Sequence, residues 1–114
     1  MIKLNQILIN QKQIDEIPVD FTNVTKEDAV ATVNNKYRCE IVKNDDDKWS
    51  SDSEIKVYCS CPDFQFRWAY VLSKNNALLN ASSFVLEPPK EKNPGMKVGA
   101  CKHLAAMAKR LIEK

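Results

Sequence analysis

Three of the four cysteines and the single histidine of this 114-residue chain fall into two short pairs, Cys59-x-Cys61 and Cys101-x-His103. Thiolate sulfur and neutral imidazole nitrogen bind a thiophilic ion tetrahedrally, and local spacing decides whether two of them reach one ion. Residues two apart on an extended strand point to the same side, so Cys59 and Cys61 at a strand end present both sulfurs together. Inside a regular helix, residues two apart lie about 200° round the axis. Cys101 is therefore placed just before a helix and His103 in its first turn, with Gly99-Ala100 as the loose backbone leading in. The helix N-terminus adds positive potential that favours thiolate. Four protein ligands close a coordination sphere, whereas a catalytic ion keeps a water position open. The expected cofactor is one structural Zn²⁺ held by Cys59, Cys61, Cys101 and His103. With the only histidine engaged, no histidine general base remains. A Cys59–Cys61 disulfide is disfavoured, because an extended strand holds those Cβ atoms too far apart. Cys39 is expected as a buried residue opposite its hairpin partner, with substitution as a ligand the alternative.

These residues must be positioned by the elements around them. Residues 36–43 and 54–60 alternate, with Tyr37, Cys39 and Ile41 on one face of the first and Ile55, Val57 and Cys59 on one face of the second. Joined by the turn-forming, solvated residues 44–47 and 50–53, they read as an antiparallel hairpin. Pro62-Asp63 opens a helix with Asp63 as cap, and Phe64, Trp68, Val71 and Leu72 form its apolar stripe. Trp68 is expected in the core. Asn75-Asn76 ends that helix. Residues 80–100 are irregular, with Pro88, Pro89 and Pro94 stiffening them. Residues 102–114 form a helix whose apolar face is Leu104, Met107, Ala108 and Leu111, with Lys109, Arg110 and Lys114 at its negative end. Upstream, the partial alternation of Ile2, Leu4, Ile7 and Ile9 suggests a short strand. Thr25 to Asp28 resembles a capped helix start, but Val30, Thr32 and Val33 are β-branched and fit a strand equally. The predicted fold class is α+β: an antiparallel β-hairpin or small sheet packed on two helices, with a zinc-stapled ββα core. Residues 1–114 form one domain, divided into an N-terminal segment 1–35 of open role and a zinc-binding unit 36–114.

Composition narrows the functions. An apolar fraction of 44% and a charged fraction of 28% are those of an ordinary globule. No apolar run approaches the roughly 20 residues of a membrane helix, and residues 1–10 lack a signal-peptide core. The expected setting is the cytoplasm, where thiols stay reduced. Residues 1–58 carry 8 Lys/Arg against 11 Asp/Glu, and residues 59–114 carry 9 against 4. This asymmetry is mild, and the sequence pI of 8.3 falls short of the value of about 9 or more typical of basic binding domains. Arg67, Lys74, Lys90, Lys92, Lys97, Lys102, Lys109 and Arg110 are nonetheless candidates for phosphate contacts, and Trp68 and Tyr70 for base stacking. Lys102, between two ligands, can offset excess thiolate charge. Asp63, Glu87 and Glu91 are the acid–base candidates, with nothing to pair them. Gly95 and Gly99 are the only glycines, so no phosphate-binding glycine loop exists.

The arrangement Cys59-x-Cys61 at a strand end followed by Cys101-x-His103 entering a helix resembles the SWIM-type zinc finger, whose signature is CxC…CxH on a ββα unit. The 39 residues separating Cys61 from Cys101 are long for that family and leave room for the Phe64–Leu72 helix as an insertion. Residues 59–68, 88–95 and 99–104 also look like small SWIM-like proteins of tailed bacteriophages. This resemblance implies DNA binding or protein–protein contact. The expected function is a non-enzymatic, zinc-binding structural or assembly module, contacting other proteins of an assembly such as a phage virion, in the host cytoplasm and the particle. The alternative is a nucleic-acid-binding accessory protein. Neither membrane association nor a small-molecule substrate is expected.

Overall fold

The structure, a computed structural model, describes residues 1–8, 14–83 and 98–113. Strand patterning along the chain yields five strands: β1 (Ile2–Lys3), β2 (Val19–Val24), β3 (Asp28–Val33), β4 (Tyr37–Lys43) and β5 (Glu54–Cys59). They form one antiparallel sheet in the order β1-β5-β4-β3-β2. The alternation of Ala29, Ala31 and Val33, of Cys39 and Ile41, and of Ile55, Val57 and Cys59 puts all of these on the buried face. The α1 helix (Ala69–Lys74) continues from a wider helical turn at Phe64–Trp68, and α2 (Lys102–Glu113) crosses the sheet, contacting β2 through β5. Leu104, Met107, Ala108 and Leu111 of α2 are buried, each large side chain contributing about 1.5–3 kcal/mol on burial. The chain is thus α+β, with two helices and a hairpin of the expected strands.

Several local expectations change. Ile2 begins a strand, but it ends at Lys3, and Leu4–Ile7 turns into a 3₁₀ helix that buries both Leu4 and Ile7. The apolar spacing there serves one helical face as well as it serves alternation. Ile9, also read into that strand, lies outside the described residues. Residues 25–33 resolve as a strand: Thr25 Oγ1 accepts the N–H groups of Glu27 and Asp28 in a turn, and β-branched residues then pair on both sides in β3. The turn from β3 to β4 uses Asn34 and Asn35, both at φ 57°, with the Lys36 N–H bonded to the Val33 carbonyl. Asparagine tolerates this left-handed backbone better than most residues.

The loop between β4 and β5 is more organised than a solvated turn. Lys43, buried at 3% exposure, donates to the Asp45 carbonyl at 3.0 Å, to Asp45 Oδ1 at 2.8 Å and to the Asp47 carbonyl. Trp49 lies against the Lys43 ammonium and donates from Nε1 to the Thr25 carbonyl. The hydrogen bond from Lys43, then that from the Asp47 N–H, holds the Asp45 carboxyl below its ordinary range.

Residues 1–35, whose role was open, supply three strands of the sheet and a brace for α2. A 3₁₀ turn at Ile14–Glu16 packs on α2. Arg110 donates to the Ile17 and Asp15 carbonyls at 2.9 and 3.2 Å, and Lys109 pairs with the Asp15 carboxylate. The hydrogen bond and charge of Lys109 hold the Asp15 carboxyl below its ordinary range. A lowered carboxyl pKa stabilises the fold above the unfolded value and ceases to do so as pH falls through the folded one. Arg110→Ala is expected to destabilise the chain by about 1–2 kcal/mol, since it leaves two carbonyls without their donor. Hydrogen exchange should locate the loosening at residues 14–17 and the end of α2, with the β4–β5 hairpin unchanged.

Candidate metal centre

Cys59, Cys61, Cys101 and His103 are all buried, and their ligand atoms lie within 4.8 Å of one another. Each arrives from a different local structure. Cys59 closes β5, paired with Cys39 of β4. Just beyond it, Ser60 holds the strand ends together: its N–H meets the Arg38 carbonyl and its Oγ accepts the Arg38 N–H. Cys61 is not on the strand. Helical backbone runs over residues 62–74, so Cys61 is the residue that caps it, with Pro62 in the first helical position, where a missing N–H does no harm. Cys61 Sγ accepts the Phe64 N–H at 3.4 Å, as an N-cap oxygen would. The Cys61 N–H in turn points to Cys59 Sγ at 3.5 Å.

That geometry corrects the role expected of Asp63. Its backbone is already helical, its side chain makes no capping bond, and its carboxylate lies 3.4 Å from Arg67 Nε. The next turn is π-helical, with the Ala69 N–H bonded to the Phe64 carbonyl. The wider turn shifts the apolar stripe so that Phe64 and Ala69 are both fully buried. Trp68, expected in the core, is moved to its margin and remains only partly buried.

Cys101 precedes α2 and its carbonyl accepts the Ala105 N–H, which makes it the N-cap, with His103 two residues into the first turn. This is the expected arrangement. Gly99 acts differently from a loose link: its φ is not positive, and a Cβ there would sit 3.0 Å from the Trp68 ring. The α2 leader thus runs close against the Trp68 ring, which a side chain at position 99 would have to displace. The His103 ring packs on Tyr37 at a centroid distance of 4.6 Å.

Two helix N-termini therefore face one sulfur cluster, each a source of positive potential. Among the bare thiols the proton affinities diverge. Hydrogen bonds from Cys101 and then Cys59 hold the Cys61 thiol far below its ordinary range. For Cys59, the Cys101 hydrogen bond pulls down, but Cys39, Cys61 and burial push the thiol up overall. Burial, then Cys59 and Cys61, push Cys101 up. Three thiolates cannot share this volume without a cation, and the set fits one metal ion on a second count. His103 Nδ1 is buried with no hydrogen-bond partner, and coordination at that atom would satisfy it.

No protein-family model matches the chain, and comparison with curated proteins and with solved structures finds no match. The cluster itself is what is established: four buried S and N donors gathered from residues 40 positions apart. No helix among the described residues is long and apolar enough to cross a membrane.

Beside the cluster, Cys101 and His103 form one wall of an open cleft of about 340 Å³, whose rim carries Asp63, Arg67, Trp68 and Lys102. Lys102, expected to offset thiolate charge, is exposed. Asp63 is thus near other charges, but its neighbour is a guanidinium, not a second carboxylate. Glu87, Glu91, Lys90, Lys92, Lys97 and the three loop prolines lie outside the described residues. Sequence reasoning missed Tyr37 and Phe64 as supports of the site. The alternation placing Tyr37 in line with Cys39 was the available signal. Gly99→Ala is expected to displace the Trp68 ring, lower stability by about 1–3 kcal/mol as overpacking does, and shift the tryptophan emission maximum.

Proposed function

We propose that the chain is a non-enzymatic module in which one structural zinc ion staples the end of β5, the start of the first helix and the start of α2, and fixes a surface for a macromolecular partner. The single observation that carries this reading is the closed set of four donors. A tetrahedral zinc with Zn–S near 2.3 Å puts neighbouring ligand atoms about 3.8 Å apart. The observed limit of 4.8 Å is closed by small side-chain adjustments. Zinc is favoured over harder ions because three thiolates and an imidazole suit it. Four protein donors leave no position for an activated water, which supports a structural role.

The β4–β5 hairpin and α2, joined by this ion, make up a ββα unit of the kind the SWIM-type resemblance implies, with the helix from 62 to 74 as its insertion. We take the partner to be another protein of an assembly. Phe66 supports this, since it stands 62% exposed on the helix that begins at the metal cluster. The tailed-phage particle is the proposed setting, on the resemblance of residues 59–68, 88–95 and 99–104. A second reading has its own support: Arg67, Trp68 and Lys102 meet at one cleft, and cations beside an aromatic ring can hold a nucleic-acid strand.

Purified chain is expected to contain one zinc per molecule by elemental analysis. Structural zinc contributes on the order of 10 kcal/mol or more of folding free energy, so chelation or His103→Ala should abolish the cooperative thermal transition. Acid should release the ion, since protons compete for all four ligands, and neutralisation with zinc should restore the fold. Phe66→Ser should leave zinc content and melting temperature unchanged and weaken partner capture from assembled particles. Titration with a fluorescent oligonucleotide separates the readings: affinity that falls steeply with salt supports nucleic acid, and no binding at low salt removes it.

A further inference from the structure

The fourth cysteine lies outside the ligand cluster, yet its sulfur is 3.4 Å from Cys59 Sγ. Cys39 and Cys59 are cross-strand partners in β4 and β5, and both are fully buried. The adjoining pair, Arg38 and Ser60, is linked by the Ser60 N–H to the Arg38 carbonyl at 3.1 Å. Hydrogen-bonded and non-hydrogen-bonded pairs alternate along an antiparallel ladder, so Cys39–Cys59 holds the non-hydrogen-bonded position, where opposing Cα atoms are about 4.5 Å apart. That separation falls within the range of about 4.4–6.8 Å that a disulfide spans. Rotation of two side chains, with no strand separation, brings the sulfurs to bonding distance. Neither Cys61 nor Cys101 has such a registered partner.

We propose that Cys39 and Cys59 form an oxidative modification site, at which a peroxide joins the two sulfurs and so withdraws Cys59 from the metal ligand set. The proposal rests on the metal reading above. The Cys59 thiolate attacks one peroxide oxygen, giving a sulfenic acid and hydroxide, which takes a proton from solvent. The Cys39 sulfur then displaces the sulfenic hydroxyl, which leaves as water with the Cys39 proton. Two electrons pass from the sulfur pair to hydrogen peroxide, and the S–S bond forms as the O–O bond is lost. A disulfide sulfur carries no charge and is a poor ligand, so Cys61, Cys101 and His103 are left with one donor too few. Zinc departs, and the link between β5 and α2 opens. Thiol reductants reverse the step because the product stops at a disulfide. Cys39 thereby protects Cys59 from further, irreversible oxidation.

The test treats the zinc-loaded full chain with hydrogen peroxide beside a colorimetric zinc indicator, then alkylates and maps the peptides by mass spectrometry. Zinc is expected to appear in step with a Cys39–Cys59 disulfide, one ion per bond, and to return to the chain on addition of dithiothreitol. Cys39→Ala should bind zinc at the unsubstituted stoichiometry, because Cys39 is not a ligand. Its zinc release under peroxide should no longer be reversed by dithiothreitol, because Cys59 then runs on to oxidation states that thiols do not reduce. The proposal is overturned if Cys39 remains alkylatable after the zinc has left, or if Cys39→Ala releases zinc as reversibly as the unsubstituted chain. Peptide mapping uses the unsubstituted chain, so it decides the pairing even where the alanine variant folds poorly. Zinc content before oxidation reads the metal assignment separately: a metal-free chain contradicts that assignment, and a zinc-loaded chain with untouched Cys39 contradicts the modification site alone.

Discussion

Three cysteine sulfurs and one imidazole occupy a buried volume in which no two ligand atoms are more than 4.8 Å apart. Placing three ionisable sulfurs side by side, away from water, raises the energy of their anions unless a positive charge lies among them. Protein groups supply part of that charge. The N-termini of two helices point inward, and the Phe64 N–H reaches Cys61 Sγ. No side-chain ammonium or guanidinium bonds to the sulfurs among the described contacts, and Lys102 is turned to solvent. One bound metal ion, the occupant we propose, would supply that charge, and the unpartnered His103 Nδ1 adds the demand of a buried polar atom for a partner.

The surrounding fold can be understood as the support this cluster needs. Register between β4 and β5 fixes Cys59, Pro62 starts the helix that Cys61 caps, and the close contact of Gly99 with Trp68 sets the approach to Cys101. Packing of α2 across the sheet, and its fastening to residues 14–17 through Lys109 and Arg110, hold His103 against Tyr37. The proposed ion would tie Cys61 to Cys101 and close a long loop, whose entropy cost grows only slowly with length. Such a tie would make the C-terminal helix depend on the state of the sulfurs, through which the Cys39–Cys59 contact would bear on the whole unit.

Much of this was legible in the residues. Two-residue spacing picked out the four residues that cluster, although Cys61 joins them from a helix start and not from the strand expected, and strict alternation identified the β4–β5 hairpin and its buried face. The Cys-x-His spacing placed Cys101 outside α2, because a regular helix would have parted the pair. Other features depend on packing that periodicity does not encode. The π-helical turn moved Trp68 out of the core, since Phe64 and Ala69 compete for the same buried face. Asp63 had the composition of a cap, but the cap was Cys61, whose expected ligand role hid its second use. Asn34-Asn35 is a turn signal between two alternating runs and would have resolved β3 as a strand. The Arg110 contacts join residues more than 90 positions apart, and nothing local marks them.

The central claim is that these four side chains share one ion, and zinc K-edge X-ray absorption on the purified chain reads it directly. The expected spectrum has three sulfurs near 2.3 Å and one nitrogen near 2.0 Å, with no oxygen shell. A zinc coordinated only by oxygen and nitrogen, or a spectrum unchanged in Cys101→Ser, would contradict it.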